Sequence, residues 1–266
     1  KKGYKNLLLP SRNELDLLNT QSVENWFKNN SPDIVILAAA KVGGIEANSK
    51  YPADFILENL KIQTNIIENS WRNNIKRFLF LGSSCIYPKY APQPIKEEYL
   101  LSGALEPTNE AYAIAKISGI KLCQFYNKQY GTNYISLMPT NPYGPGDNFD
   151  LNEGHVIPSL INKFHNAKEN SISSVEVWGS GKQSREFIFV KDIASSVRFI
   201  LEKMINNEEI LLSESNTINI GTAEEITIRE LSNLISEVVG YKGIISFDKS
   251  KPDGTPRRIL DSQLIR

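Results

Sequence analysis

Three short runs constrain the fold of this chain most: Asp33-Ile34-Val35-Ile36-Leu37-Ala38, Lys76-Arg77-Phe78-Leu79-Phe80-Leu81 and Tyr134-Ile135-Ser136-Leu137-Met138. Their apolar stretches are continuous rather than alternating, which marks a strand covered on both faces. Helical patterns separate them: Ser22 to Asn29, Phe55 to Asn73 after Pro52, and Asn109 to Tyr130. In the second of these, Ile56, Leu60, Ile62, Ile66, Ile67 and Trp71 recur at helical spacing. Leu7-Leu8-Leu9 reads as one more strand. Buried strands alternating with helices predict an α/β fold built on a doubly wound parallel sheet.

The pattern changes after Asn141. Pro142-Tyr143-Gly144-Pro145-Gly146-Asp147-Asn148 is a loop of turn formers. Shorter elements follow: helices over Val156–Ala167, Lys191–Asn206 and Thr227–Val239, the last opened by a Thr227/Glu230 capping-box pattern. Strands are expected at Val175–Trp178, Arg185–Val190, Thr217–Gly221 and Ile244–Phe247. The expected division is 1–150 as a cofactor domain and 151–266 mainly as a smaller mixed α/β substrate lobe, with some segments returning to the sheet.

Composition removes several classes. Thirty basic and thirty acidic residues leave no net charge, so nothing points to a nucleic acid or a membrane as partner. Two cysteines, Cys85 and Cys123, make neither a disulfide framework nor a four-ligand zinc site. With His155 and His165 at unrelated spacing, metal chemistry is not expected. No signal peptide or membrane-spanning run is visible, so the default location is cytoplasmic.

Tyr112-Ala113-Ile114-Ala115-Lys116 places a phenol and an ammonium one helical turn apart on one face. A nearby ammonium favours the phenolate, so the pair suits proton exchange with a carbonyl. A chance surface pair satisfies the same spacing.

A dinucleotide-binding, Rossmann-like sheet opens with a strand, a Gly-rich turn and a helix N-terminus. Gly43-Gly44, Gly144/Gly146 and Gly179/Gly181 have the wrong spacing for that turn. The chain starts Lys1-Lys2-Gly3-Tyr4, without methionine, and soon enters an apolar run. The expectation is that the first βα unit, on the order of 20–30 residues, is missing. At the end of the first visible strand stands Arg12, where an arginine suits a 2′-phosphate and so NADP. An ordinary solvated arginine fits that position as well.

Several segments combine into a resemblance. Gly82-Ser83-Ser84-Cys85-Ile86-Tyr87-Pro88, Tyr112 to Lys116 and Pro139-Thr140-Asn141-Pro142-Tyr143-Gly144-Pro145 each follow a predicted strand or lie on a helix. Ala38 to Ile45, Tyr51 to Ile56, Leu105 to Glu110, His155 to Pro158, Val177 to Gly181, Arg185-Glu186-Phe187 and Ser250 to Arg257 extend the pattern. The chain resembles the extended short-chain dehydrogenase/reductase family, whose members act on nucleotide sugars. It is most similar to the branch that converts GDP-4-keto-6-deoxy-D-mannose by C3/C5 epimerisation and then NADPH-dependent C4 reduction.

The resemblance implies roles. Ser83 holds the C4 keto oxygen, Tyr112 protonates it, and Lys116 lowers the tyrosine pKa and binds the nicotinamide ribose. Cys85 and His155 form the base and acid that invert C3 and C5, both α to the ketone. On their own a lone Cys and a lone His read as packing residues. Related 4,6-dehydratases carry an Asp-Glu pair where this chain has Ser84-Cys85. NADP(H) is expected along Ala38, Ala39, Ala40, Lys41, Leu81, Gly82, Ser83, Ser84, Pro139, Thr140, Asn141 and His155, besides Arg12, Tyr112 and Lys116. The GDP moiety is expected at Lys163, Trp178, Arg185 and Asp253. A homodimer pairing the two long helices is also implied. The alternatives are another nucleotide-sugar 4-epimerase or 4-reductase, or a cofactor-free, inactive chain that keeps the fold.

Overall fold

The computed structural model describes residues 4–266 apart from 5, 152, 153, 211, 214, 215 and 252. Pro252, within the Ser250–Arg257 segment, and Lys1–Gly3 at the start therefore lie outside the described residues. In chain order the elements are α1 (Thr20–Asn30), β1 (Ile34–Leu37), α2 (Ile45–Lys50), α3 (Pro52–Arg72), β2 (Arg77–Leu81), α4 (Glu110–Tyr130), β3 (Asn133–Pro139) and β4 (Asn141–Tyr143). They continue as α5 (Val156–Glu169), β5 (Ser174–Trp178), β6 (Ser184–Phe189), α6 (Val190–Asn206), β7 (Thr217–Ile220), β8 (Glu225–Thr227), α7 (Ile228–Val239), β9 (Ile244–Asp248) and β10 (Arg257–Arg258).

The main sheet has the order β1-β2-β3-β7, and every neighbouring pair in it is parallel. Alternate side chains of the same strand serve opposite cores. Phe78, Phe80 and Tyr134 pack under α1, α3 and α4 with Val23, Phe27, Ile66 and Ile120. Leu79, Ile135 and Leu137 face α6 through Ile193, Ile200 and Met204. Burial on both sides is why β2 and β3 read as unbroken apolar runs, whereas β1, at the sheet edge, leaves Ile36 exposed.

A second sheet, β10-β6-β4 with β8 antiparallel on β6, and a parallel β5–β9 pair lie beyond it. Helices α5 and α7 cover the β5–β9 pair through Leu160, Phe164, Val177, Leu231 and Ile235. Strand β7 carries the chain back into the main sheet. The α7 capping box forms, with Thr227 and Glu230 bonding each other's backbone N–H.

One expected strand is not one. Leu7-Leu8-Leu9 forms no ladder with any described strand, and its side chains are 43–73% exposed. A lone extended run buries too little surface to hold itself in place. Pro142 and Tyr143, expected inside a loop, pair instead with β6 as part of β4. Among the described residues no helix is long and apolar enough to cross a membrane.

Candidate active site

The carboxyl ends of β2 and β3, the start of α4, the start of α5 and the β6–β10 edge surround a cavity of about 840 Å³. Ser83, Ser84, Cys85, Tyr112, His155, Lys163, Trp178, Arg185 and Asp253 all line it, with Gly82, Pro139, Thr140 and Asn141. Residues spread over most of the chain thus meet at the end of a parallel sheet, where open α/β folds bind ligands.

Ser83 ends the turn after β2 and accepts a hydrogen bond from the Cys85 N–H as a cap. Its Oγ lies 3.0 Å from Cys85 Sγ. Tyr112 lines the same cavity, and the Ser83 hydroxyl favours its phenolate.

Cys85 is buried, and desolvation pushes its thiol up. The positive charges of Arg258 and Lys116 and the Ser83 hydrogen bond pull the other way. Tyr112 is also raised, first by desolvation and then by the Cys85 charge, with Ser83 opposing. This corrects the expectation that Lys116 lowers the phenol. The Lys116 ammonium sits over the Tyr112 ring face, 5.7 Å from its centroid, and donates to the Leu81 carbonyl at 2.8 Å. Burial pulls Lys116 itself down to about 8. Desolvation outweighs the Cys85 charge, which pulls the lysine the other way.

His155 is exposed and caps the N-terminus of α5, opening onto the cavity. Trp178, 39% exposed, carries two ammonium groups over its indole, Lys251 at 4.9 Å and Lys163 at 5.8 Å. Lys163 donates to the Glu176 carbonyl at 3.3 Å. Arg185 is pinned by the carbonyls of Ser184, Thr255 and Asp253, and burial pulls it down to about 10. Asp253 spends its carboxylate inside the protein, accepting from Ser180 N–H at 2.6 Å and Ser180 Oγ at 2.9 Å. Its expected contact to a ribose or base would compete with that clasp.

A groove of about 1980 Å³ crosses the carboxyl end of β1, lined by Arg12, Ala38, Ala39, Ala40 and Lys41. Ala38 lines both groove and cavity, so the two meet there. Small side chains leave the strand end open, and Arg12 offers a cationic group there, whereas buried Lys116 lies beneath the surface with its ammonium on the Leu81 carbonyl. That donor set fits a phosphorylated dinucleotide. Lys41 contributes less charge than expected, because its ammonium pairs with Glu58 at 2.6 Å and Asp54 at 3.7 Å. Asn59 fixes its backbone instead, accepting from the Lys41 N–H and donating to its carbonyl.

Sequence reasoning missed Arg258 and Glu106, which also line the cavity while buried. The Ser250–Arg257 pattern stops one residue short of Arg258. It also missed three residues lining the cavity, Asn48, Asn109 and Gln183, each with a buried side-chain oxygen that has no hydrogen-bond partner. Nothing in their spacing marks them; only the fold brings them there.

Residues 2–221 match the profile of the NAD dependent epimerase/dehydratase family. The chain is 53% identical to the GDP-L-fucose synthase of Sinorhizobium fredii over 97% of its own length and 80% of that protein. It is 53% identical to the GDP-L-fucose synthase of Escherichia coli, covering 98% of this chain and 81% of that one. Among solved structures, MlghC, the GDP-mannoheptose C4 reductase from Campylobacter jejuni with NADP bound, is 40% identical with a TM-score of 0.87. That match covers 98% of this chain and 83% of the other.

Proposed function

The chain belongs to the NAD dependent epimerase/dehydratase family, and from that premise we propose that it is an NADPH-dependent GDP-L-fucose synthase. It epimerises GDP-4-keto-6-deoxy-D-mannose at C3 and C5 and then reduces C4. The observation that carries this reading is the Ser83 hydroxyl, 3.0 Å from the Cys85 sulfur, in one cavity with Tyr112 and His155. C4 reduction needs no second acid–base pair, whereas epimerisation at C3 and C5 does.

The protons at C3 and C5 are acidic because each carbanion is an enolate of the C4 ketone. Cys85 removes a proton from one face and His155 returns one on the other. Ser83 and Tyr112 hold the C4 oxygen as negative charge gathers on it. In the last step Tyr112 gives its proton to that oxygen. A raised phenol pKa keeps that proton in place until the alkoxide forms. NADPH, when bound, supplies the hydride to C4. Arg12, Ala38–Lys41, Leu81–Ser84, Lys116 and Pro139–Asn141 hold it, with the 1–150 region as its domain. Lys163, Trp178 and Arg185 hold the GDP end on the 151–266 lobe, Arg185 with a fork suited to phosphate. Asp253 orders that loop through Ser180.

The functional unit is a homodimer. Helices α3 and α4 run side by side in one direction, Gln63 bonding Ala115 and Trp71 stacking near Tyr126 and Tyr130. Leu57, Ile114, Phe125 and Tyr130 remain 39–57% exposed on these helices.

The test is product analysis from GDP-4-keto-6-deoxy-D-mannose and NADPH in deuterated water. GDP-L-fucose labelled at C3 and C5 is expected. A C4-reduced sugar without label would instead give the second reading, a nucleotide-sugar C4 reductase like the Campylobacter neighbour.

A further inference from the structure

The nucleotide end of the cavity is mostly apolar. Val156, Leu160, Val177, Trp178 and Ile228 line it together, and all but Trp178 belong to one packed cluster. Such a slot suits a planar base, with a few polar groups to fix its orientation. The polar side chains around it are mostly spent within the protein. Asp253 is held by Ser180, Lys163 by the Glu176 carbonyl and Ser159 by the Leu151 carbonyl. Arg185 is tied by three backbone carbonyls.

Gln183 is the exception. It is only 8% exposed, yet it lines the same cavity. Its backbone carbonyl accepts from the Ile228 N–H at 3.0 Å, which fixes it against the start of α7. Gly179 and Gly181, at φ of 83° and 75°, fold the turn that brings Gln183 back beside the end of β5. A Cβ on Gly179 would meet Asp253 Oδ1 and, at 3.1 Å, Gln183 Nε2. The amide therefore lies against the residue that follows Trp178. Among the described residues its Oε1 is buried and has no hydrogen-bond partner. A buried acceptor left unpaired is costly, so one in a cavity wall calls for a donor on a ligand.

We infer that Gln183 is the base-reading residue of the GDP site: its Oε1 accepts from the guanine N1–H and 2-amino group. The inference rests on the GDP-sugar reading and adds a residue to it. Guanine carries two adjacent donors on that edge. Adenine has a ring-nitrogen lone pair and a C–H at the same positions, so it leaves Oε1 facing another acceptor. A site that hydrogen-bonds a ligand group rejects analogues lacking it, because its own buried group then stays without a partner. Gln183 stands at the base end, so it acts on nucleotide binding and not on the chemistry at the sugar.

The test is isothermal titration calorimetry with GDP, inosine diphosphate and ADP, comparing wild type, Gln183→Met and Gln183→Glu. Wild type is expected to bind GDP most tightly and ADP most weakly. Inosine diphosphate, which keeps N1–H and lacks the amino group, falls in between. Gln183→Met, of similar length and without the acceptor, should weaken GDP about tenfold and ADP less than about threefold. Gln183→Glu keeps an acceptor and should keep the order of the three. A purely structural glutamine would move all three nucleotides by one factor, and that result overturns the inference, as does an unchanged GDP affinity in the Met chain. Should the Met chain fail to fold, Gln183→Ala removes the acceptor without new bulk and supplies the same comparison. Binding needs no turnover, so this titration and the product analysis fail separately. A GDP-selective chain that makes no labelled sugar loses the epimerase and keeps Gln183 in its role. A wild type that binds ADP as tightly as GDP loses both the residue and the GDP reading.

Discussion

Ser83 lies against Cys85 in the cavity that Tyr112 also lines, and single substitutions separate the two proposed steps. Cys85→Ser is expected to abolish deuterium exchange at C3 and C5, measured by NMR. Tyr112→Phe is expected to keep that exchange and to slow C4 reduction by about 10² to 10⁴, the usual range for a lost general acid. Reduction within tenfold of wild type in Tyr112→Phe would remove the tyrosine from its role. Lys116 makes a different prediction, about stability. Its folded pKa, about 8, lies below its ordinary value of 10.5 because the side chain is buried. Between those values the unfolded chain holds the extra proton, so stability from this group rises with pH. Its burial cost is in full below pH 8 and gone above 10.5. Relative to Lys116→Met, the wild type should gain roughly 3 kcal/mol across that window. Urea unfolding at pH 7.5 and at pH 10 checks this, and a constant difference between the two chains would contradict it.

At the scale of elements, α4 has to lie close to β2 and α3 to carry Tyr112 and Lys116 to the site. Gly119 permits this. A Cβ there would meet Phe80 Cζ at 2.6 Å and Gln63 Oε1 at 2.8 Å. Phe80 is fully buried and Gln63 is held by the Ala115 carbonyl at 2.6 Å, so neither yields easily. Gly119→Ala improves helix propensity by about 1 kcal/mol, yet overpacking of about 1–3 kcal/mol should win. A lower urea midpoint and slower reduction are expected, and a stabilised chain would mean that α4 can slide. The same scale shows what a sequence reveals. Long helices and doubly buried strands were legible because their signal lies within one segment. Leu7–Leu9 misled, because a strand is made by its partner as much as by its own residues. The two-residue β10 was unreadable for the same reason. Its register against β6 is what sets Arg258 beside Arg185 at the cavity. Tyr112 and Lys116 were found from helical spacing, whereas their electrostatics depended on burial that spacing does not contain.

At the scale of the whole molecule, α3 and α4 lie beside α1 on one face of the main sheet, and their outer side is where the proposed homodimer would form. Ile114, Ser118 and Phe125 follow helical spacing along α4 and are exposed. Phe125, at 57% exposure, is the largest apolar side chain left on that face of α4. A second copy packed across a two-fold axis would make a four-helix contact and cover these residues twice over. A stable interface of this kind removes about 1,600 Å² in total, with aromatic anchors near its centre carrying most of the energy. Phe125→Glu places a carboxylate in the centre of that contact on both copies at once. It should weaken association by at least about 100-fold, turning a dimer into a monomer in sedimentation velocity at micromolar concentration. Phe125 points away from the Tyr112 face of its helix, so exchange and reduction per chain should persist in the monomer. A wild-type chain that sediments as a monomer would overturn the dimer, and a Glu variant that still pairs would place the two-fold contact elsewhere on the surface.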